Sequence, residues 1–180
     1  MYTRHLSRFR GKPITFVEIG VYSGGSLRMW RHFFGPAARI IGIDYSAKAS
    51  IYEKNPMYGS PDRILVGDQG SAEFWRSALE EIGGIDAILD DGGHRPFLQN
   101  ATLHAVWPKL RDGGVYMVED LIELNRPFWT GVLDRFVLGA DGMHSGGMNP
   151  DSCQKADPHH FSIKHRTSLL ATEPSRECEQ

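Results

Sequence analysis

Short apolar runs alternate along the chain with longer segments whose apolar residues recur at helical spacing. The runs are rich in β-branched residues and bounded by glycine or a carboxylate, which is typical of strands buried on both faces of a parallel sheet. These predicted strands are 14–20, 38–44, 63–68, 85–91 and 113–120. The helical spacing predicts helices at 26–34, 71–82 and 96–110, and a weaker one at 47–53.

The alternation of strands and helices predicts an α/β fold, with a Rossmann-like, doubly wound and mostly parallel sheet. A further helix is expected at 127–138, and the glycine- and proline-rich segment 139–158 is expected to be a mobile loop that serves as a lid. After it, two short extended segments joined near 165–167 predict a C-terminal antiparallel hairpin at the sheet edge. We expect one domain over residues 1–180, with 1–13 as an N-terminal extension.

Composition and charge favour chemistry on a small molecule. The chain has 20 basic and 22 acidic side chains and a formal net charge of −2, and no basic stripe suggests a nucleic-acid or membrane partner. The apolar run after the basic N-terminus is too short for a signal peptide or a bilayer span. Cys153 and Cys178 form no CxxC pair, which disfavours a disulfide scaffold or a structural zinc site. A cytoplasmic protein is therefore expected.

The first candidate site follows the first predicted strand. In VEIGVYSGGSL the strand ends through Glu18 and Gly20, turns at Ser23 and Gly24, and opens a helix. Glycines there let the backbone approach a ligand, and the helix N-terminus points N–H groups at the same place. The same pattern is compatible with a plain strand-to-helix connection. The spacing is ExGxxxG rather than GxGxxG, and an acid at the entrance would repel a pyrophosphate but suit a cationic ligand. We count these four residues as cofactor-binding candidates.

Two more acids follow the next two strands. Asp44 ends the second strand, where a carboxylate accepts the hydroxyls of a ribose, and Asp68 ends the third strand on the adenine side, with Gln69 beside it. Singly, Asp44 or Asp68 is as often a helix N-cap, but acids at three successive strand ends favour a ligand. A ligand with a ribose, an adenine and a positive centre but no phosphate is S-adenosylmethionine.

The second candidate site combines the ends of the fourth and fifth strands. LDDGGH carries Asp90, Asp91 and His94, and MVED carries Glu119 and Asp120. Crowded carboxylates raise one another's pKa unless a cation neutralises them, and oxygen ligands favour Mg²⁺. Adjacent acids converge only if the chain turns just beyond the strand. His94 is the candidate general base, because imidazole takes a proton near neutrality, whereas Asp90 is compatible with facing away and bonding backbone N–H groups.

Together these motifs resemble the class I S-adenosylmethionine-dependent methyltransferases, and more narrowly the metal-dependent sugar O-methyltransferases of the mycinamicin and macrocin type. The resemblance covers roughly residues 14–138 and rests on VEIGVYSGGSLRMW, IIGID, VGDQG, LDDGGH and MVED. It implies Mg²⁺ ligands at Asp91, Glu119 and Asp120 and a general base at His94. It also implies that the S-adenosylmethionine pocket is lined by Glu18, Gly20, Asp44 and Asp68, with Gln69 as a lesser candidate.

The implied activity is Mg²⁺-dependent methylation of a hydroxyl on a sugar or a natural-product-like small molecule. Two alternatives stay open: a relative of the cephalosporin-biosynthesis proteins with the same fold, and a non-catalytic module that binds S-adenosylmethionine. The spacing and Glu18 disfavour a nicotinamide-dependent dehydrogenase. Phe128 and Trp129 either wall the acceptor pocket or join the core. His159, His160 and His165 are interpreted as surface residues, and the identity of the acceptor and the formation of a homo-oligomer stay open.

Overall fold

A central sheet organises the chain in the computed structural model, which describes residues 2–121, 129–130 and 160–165. The strands in these ranges are Thr15–Ile19 (β1), Arg39–Asp44 (β2), Arg63–Val66 (β3), Ile85–Asp90 (β4), Leu110–Leu121 (β5) and His160–His165 (β6). The sheet order is β3-β2-β1-β4-β5-β6. Strands β1 to β5 pair in parallel, and β6 pairs antiparallel with β5. The carboxyl ends of five strands therefore meet at one edge.

Helices cover both faces of this sheet. They are Tyr2–Leu6 (α1), Gly25–Phe34 (α2), Ala72–Ile82 (α3) and Pro96–Val106 (α4), with 3-10 turns at Ser7–Phe9, Ala47–Tyr52, Pro56–Tyr58 and Trp107–Lys109. Phe16 of β1 packs in one cluster with Leu27 and Trp30 of α2, whereas its neighbour Val17 packs in the other with Trp75 of α3. Successive residues of a strand point to opposite faces, so both faces of β1 are buried.

The predicted parallel, doubly wound sheet is confirmed. The element predicted at 47–53 is a 3-10 helix, and the helix predicted over 96–110 passes into a 3-10 turn after Val106, where Pro108 lacks the N–H that the ladder needs. Strand β6 covers part of the predicted hairpin, and the hairpin itself is not confirmed because its second segment lies outside the described residues. The lid predicted at 139–158 and most of the helix predicted at 127–138 also lie outside them.

Local signals explain where the helices begin and end. The Ser71 hydroxyl accepts a hydrogen bond from Phe74 N and caps α3. Pro96 opens α4, where its missing N–H would have no helical partner. Gly35 follows α2 with a φ of +87°, the left-handed region that glycine enters without a steric cost. In the described part of the chain, no helix has the length and apolar character needed to cross a membrane.

One arginine joins α2 to the segment that precedes β3. Arg31 donates hydrogen bonds to the carbonyl oxygens of Gly59, Gly35, Ala38 and Ser60 and to the carboxylate of Asp62. The Arg31 side chain is only 20% exposed, so water replaces these bonds poorly. The guanidinium therefore holds the long connection between β2 and β3 against the helix.

We expect Arg31→Met to lower the free energy of unfolding by about 2 kcal/mol, because it leaves four partly buried carbonyl oxygens without this donor. Arg28→Met, on the exposed side of the same helix, is the matched control and should change it by less than about 0.5 kcal/mol. Urea denaturation followed by circular dichroism measures both, and equal losses would contradict the role given to Arg31.

Candidate functional site

A cleft of about 680 Å³ opens at the carboxyl ends of the parallel strands, where ligands bind in open α/β sheets. The cleft brings together seven of the residues predicted for the site: Gly20, Asp44, Asp68, Gln69, Asp91, His94 and Asp120. Among the described residues, the other four candidates do not line it: Glu18, Ser23, Gly24 and Glu119. The two sites predicted from the sequence are therefore two ends of one cleft.

The turn after β1 packs directly on the turn after β4. Gly20 has a φ of +89°, and a Cβ at this position would lie 2.0 Å from the carbonyl oxygen of Asp91. Asp91 N donates to Ile19 O at 3.0 Å. Only glycine satisfies both the backbone conformation and this close approach. The contact joins the cofactor end of the cleft to the turn that carries Asp91 and His94.

Glu18 lies behind the cleft wall, on the α2 face of β1. Its carboxylate accepts hydrogen bonds from Ser26 Oγ and Trp30 Nε1, both at 2.8 Å. Burial raises the pKa of Glu18 to about 7, against the effect of these two hydrogen bonds, and the charges of Asp91 and Glu119 raise it further. The residue thus ties the first turn of α2 to β1 and adds a partly ionised acid beneath the site.

Asp44 combines a structural and a ligand-facing position. Its Oδ2 accepts from Tyr22 N at 2.9 Å, and its Oδ1 accepts from Ser46 N at 2.7 Å. Each carboxylate oxygen keeps a further lone pair for a hydroxyl donor. Asp44 is therefore held rigidly at the cleft wall while it can still accept hydrogen bonds from a ligand.

The third predicted strand end contributes two different side chains. Asp68 is exposed, and its Oδ1 accepts from Gly70 N at 2.7 Å. Gln69 is buried, its Oε1 accepts from Gly93 N at 2.7 Å, and its Nε2 donates to Asp90 Oδ1 at 3.1 Å. Gln69 therefore fixes the turn after β4 from beneath, a position that the sequence alone did not indicate.

Sequence reasoning missed an aromatic rim around the cleft mouth. Tyr22, Tyr45 and Phe97 line the cleft, and their relative exposures are 89%, 81% and 61%. Tyr22 also has a φ of +46°, which is rare for a bulky side chain. The available signal was position: Tyr22 and Tyr45 each stand within two residues of a predicted site residue.

Asp91, His94 and Asp120 form a compact trio of side chains that could hold a metal ion. Each offers one ligand atom, and these atoms lie within 4.8 Å of one another. His94 Nε2 is 3.6 Å from Asp120 Oδ2. Asp120 has a φ of +52°, so the chain does turn at the end of β5. Glu119 lies outside the trio, and its carboxylate accepts a hydrogen bond from the Tyr2 hydroxyl.

The electrostatics of the trio suit a divalent cation. Burial, followed by the charge of Glu119, raises the pKa of Asp91 to about 6, and Asp120 and Asp90 add to this while His94 opposes it. A cation between the carboxylates would remove the repulsion. His94 Nδ1 is buried without a hydrogen-bond partner among the described residues, although buried polar atoms are normally paired. The residues therefore fit a hard cation with oxygen ligands.

Comparison with known proteins gives a consistent result. The family described as a methyltransferase domain matches residues 17–121. The chain is 38% identical over 130 residues to 8-demethyl-8-(2-methoxy-alpha-L-rhamnosyl)-tetracenomycin-C 3'-O-methyltransferase from Streptomyces olivaceus, covering 67% of this chain and 31% of the relative. It is 34% identical over 153 residues to mycinamicin VI 2''-O-methyltransferase from Micromonospora griseorubida, covering 81% and 35%. The chain thus spans about a third of the length of these curated relatives.

A solved structure of the MycE methyltransferase in complex with Mg, SAH and mycinamycin VI has the same fold. The TM-score is 0.69 at 26% sequence identity, and the superposition covers 92% of this chain and 47% of the MycE chain. The part of MycE that this chain matches is therefore about half of a longer protein.

We expect Gly20→Ala to unfold the turn after β1, because the added Cβ collides with backbone and the φ is unfavourable for alanine. The loss should exceed about 2 kcal/mol of unfolding free energy. Gly25→Ala, at the start of α2, is the control, since its Cβ would meet no atom within 4 Å. Thermal denaturation distinguishes the two variants, and a stable Gly20→Ala protein would refute the close approach.

We expect Glu18→Gln to change how stability depends on pH. A carboxyl whose folded-state pKa is raised stabilises the fold fully below its unfolded pKa and loses this contribution as the pH rises through the folded value. With the Glu18 pKa at about 7, wild type should lose about 2 kcal/mol relative to Glu18→Gln between pH 5 and pH 8. Urea denaturation at both pH values tests this, and parallel pH profiles would contradict the buried acid.

Proposed function

Because the chain belongs to the methyltransferase domain family, we propose that it transfers a methyl group from S-adenosylmethionine to a hydroxyl of a sugar or another natural-product-like small molecule. The observation that carries the proposal is the single cleft with Asp44 at one end and the trio of Asp91, His94 and Asp120 at the other. One cleft can then hold the methyl donor and a metal-bound acceptor side by side.

The cofactor is assigned to the part of the cleft that follows β1, β2 and β3. Asp44 would accept the ribose hydroxyls, and the tight turn at Gly20 would let the ligand approach the backbone. Asp68 and Gln69 would border the adenine. Glu18 would act from behind the wall, where its charge favours a sulfonium cation without direct contact. The remaining candidates of the glycine turn, Ser23 and Gly24, would shape it rather than touch the ligand.

The metal is assigned to Asp91 and Asp120, with Glu119 as the third predicted carboxylate. A bound Mg²⁺ would supply a positive charge that orients the acceptor and lowers the pKa of its hydroxyl. We assign His94 to the base role rather than to the metal, because Mg²⁺ prefers oxygen ligands. Its Nε2 already faces the Asp120 carboxylate, which would stabilise the imidazolium.

Methyl transfer would occur in a single displacement step. His94 would take the proton of the acceptor hydroxyl, and the hydroxyl oxygen would gain the methyl group as the bond between that group and the donor sulfur is lost. When bound, S-adenosylmethionine would supply the methyl group and would keep the electron pair of the lost bond on its sulfur as a neutral thioether. The positive charge would thus pass from the donor to the imidazolium beside Asp120. Four acids surround both positions and would stabilise the charge in each of them: Glu18, Asp91, Glu119 and Asp120.

We expect Asp44→Asn to weaken S-adenosylmethionine binding at least about tenfold, because a carboxylate that can accept two ribose hydroxyls is lost. Asp91→Asn should leave that binding in place and remove the Mg²⁺ signal. Glu80→Gln, an exposed acid on α3, is the control for charge alone.

Isothermal titration calorimetry with S-adenosylmethionine and with Mg²⁺ measures both binding effects. Turnover is measured as the release of S-adenosylhomocysteine in the presence of a panel of glycosylated natural products. No cofactor binding by folded wild-type protein would refute the methyltransferase proposal. Cofactor binding and turnover that ignore Mg²⁺ would refute the metal assignment alone.

A further inference from the structure

A buried hydrogen-bond network lies beneath the trio and is not explained by cofactor binding. The Tyr116 hydroxyl lies 3.1 Å from Asp90 Oδ2 and 3.3 Å from the carbonyl oxygen of Gln99. Tyr116, Asp90 and Gln99 are all buried, with Asp90 and Gln99 at 0% exposure. Polar groups at such depth are costly unless each finds a partner. The network therefore has fixed geometry.

Gln99 extends this network to the end of β5. Its Nε2 donates to the carbonyl oxygen of Glu119 at 3.2 Å, and its Oε1 accepts from Trp129 Nε1 at 3.1 Å. The carbonyl that it holds belongs to the peptide bond between Glu119 and Asp120. The Gln99 side chain thus reaches from the first turn of α4 to the backbone next to a member of the trio.

The backbone conformation at Asp120 is unfavourable by itself and is stabilised by contacts from other elements. Asp120 has a φ of +52°, a conformation that costs an aspartate on the order of 1 kcal/mol. The pairing of β5 with β6 also shifts register between Val118 and Leu121. The regular register is thus interrupted at the turn that aims Asp120 at Asp91 and His94, and the Gln99 bond acts at that point.

The same network also holds the turn after β4, which carries Asp91 and His94. Asp90 accepts from Gly92 N at 3.3 Å, and Gln69, which donates to Asp90, accepts from Gly93 N. The backbone between Asp91 and His94 is thereby fixed from below. Asp90, Tyr116 and Gln99 then form one continuous link between the two segments that carry the trio.

We propose that Gln99 is a positioning residue for a divalent-cation site, because it holds the Glu119–Asp120 peptide in the orientation that brings the Asp120 carboxylate to Asp91 and His94. The inference rests on the proposed function in one respect, that the Asp91 and Asp120 carboxylates bind a divalent cation. Gln99 itself touches neither cation nor cofactor, and it acts only through the backbone that it holds.

We expect Gln99→Met to raise the Kd for Mn²⁺ about tenfold or more, since loss of an outer partner of a metal site has that effect. Mn²⁺ binding to the purified chain without cofactor is measured by electron paramagnetic resonance of the free ion. Val106→Ala is the matched control: Val106 is buried on the same helix, so the variant loses stability through a cavity while the Gln99 bond stays. Its Mn²⁺ Kd should equal that of wild type.

Tyr116→Phe provides a second variant that changes shape little, in case Gln99→Met does not fold. It removes only the hydroxyl that joins Asp90 to Gln99 and should raise the Mn²⁺ Kd about threefold. Calorimetric binding of S-adenosylmethionine should be unchanged in all of these variants, because none of their side chains lines the cleft.

Each outcome bears on the inference. Wild-type Mn²⁺ affinity in Gln99→Met, or in Tyr116→Phe if the first variant does not fold, would overturn it and leave the proposed function standing. Equal weakening in Val106→Ala would also overturn it, because the effect would then follow stability. Absence of Mn²⁺ binding by wild type would remove the metal site from the proposed function and the inference with it.

Discussion

The carboxylate of Asp90 is the constraint on which the site depends. It is fully buried at the end of β4, and a carboxyl group in such a place must be hydrogen-bonded by the chain. Its partners come from three directions: Gln69 after β3, Gly92 in the following turn, and Tyr116 on β5. Asp90 thereby joins the turn after β3, the turn after β4 and the middle of β5, and its half-buried neighbour Asp91 is carried into the cleft.

The second feature that shapes the site is the crowding of negatively charged side chains above the Asp90 carboxylate. Glu18, Asp91, Glu119 and Asp120 come from three adjacent strands, and the parallel sheet leaves them at one edge. The repulsion is visible in the raised pKa values of Glu18 and Asp91, where it adds to burial. Such repulsion does not stabilise the fold, and this supports the proposal that a cationic ligand or a metal ion binds there. The crowded acids thus lie at the same end of the sheet as the cleft to which we assign the proposed function.

The sequence predicted the fold of the protein better than the contacts within its candidate site. Strands buried on both faces leave continuous apolar runs, so the parallel sheet was readable, and the family matches confirm the resemblance seen in the motifs. The motifs did not reveal that Glu18 faces α2, because alternation gives two faces without saying which one a ligand occupies. The partners of Gln69 and Gln99 depend on contacts distant in sequence. A cytoplasmic location, a single domain, homo-oligomer formation and the 139–158 lid stay predictions.

We propose that one cleft holds the methyl donor and a divalent cation side by side. A crystal structure grown with Mn²⁺ and S-adenosylhomocysteine, with anomalous data collected for manganese, tests it most directly. We expect an anomalous peak next to the Asp91 and Asp120 carboxylates and a ribose hydrogen-bonded to Asp44 in the same cleft. A cofactor bound elsewhere, or manganese absent from these carboxylates in crystals that hold the cofactor, would contradict it.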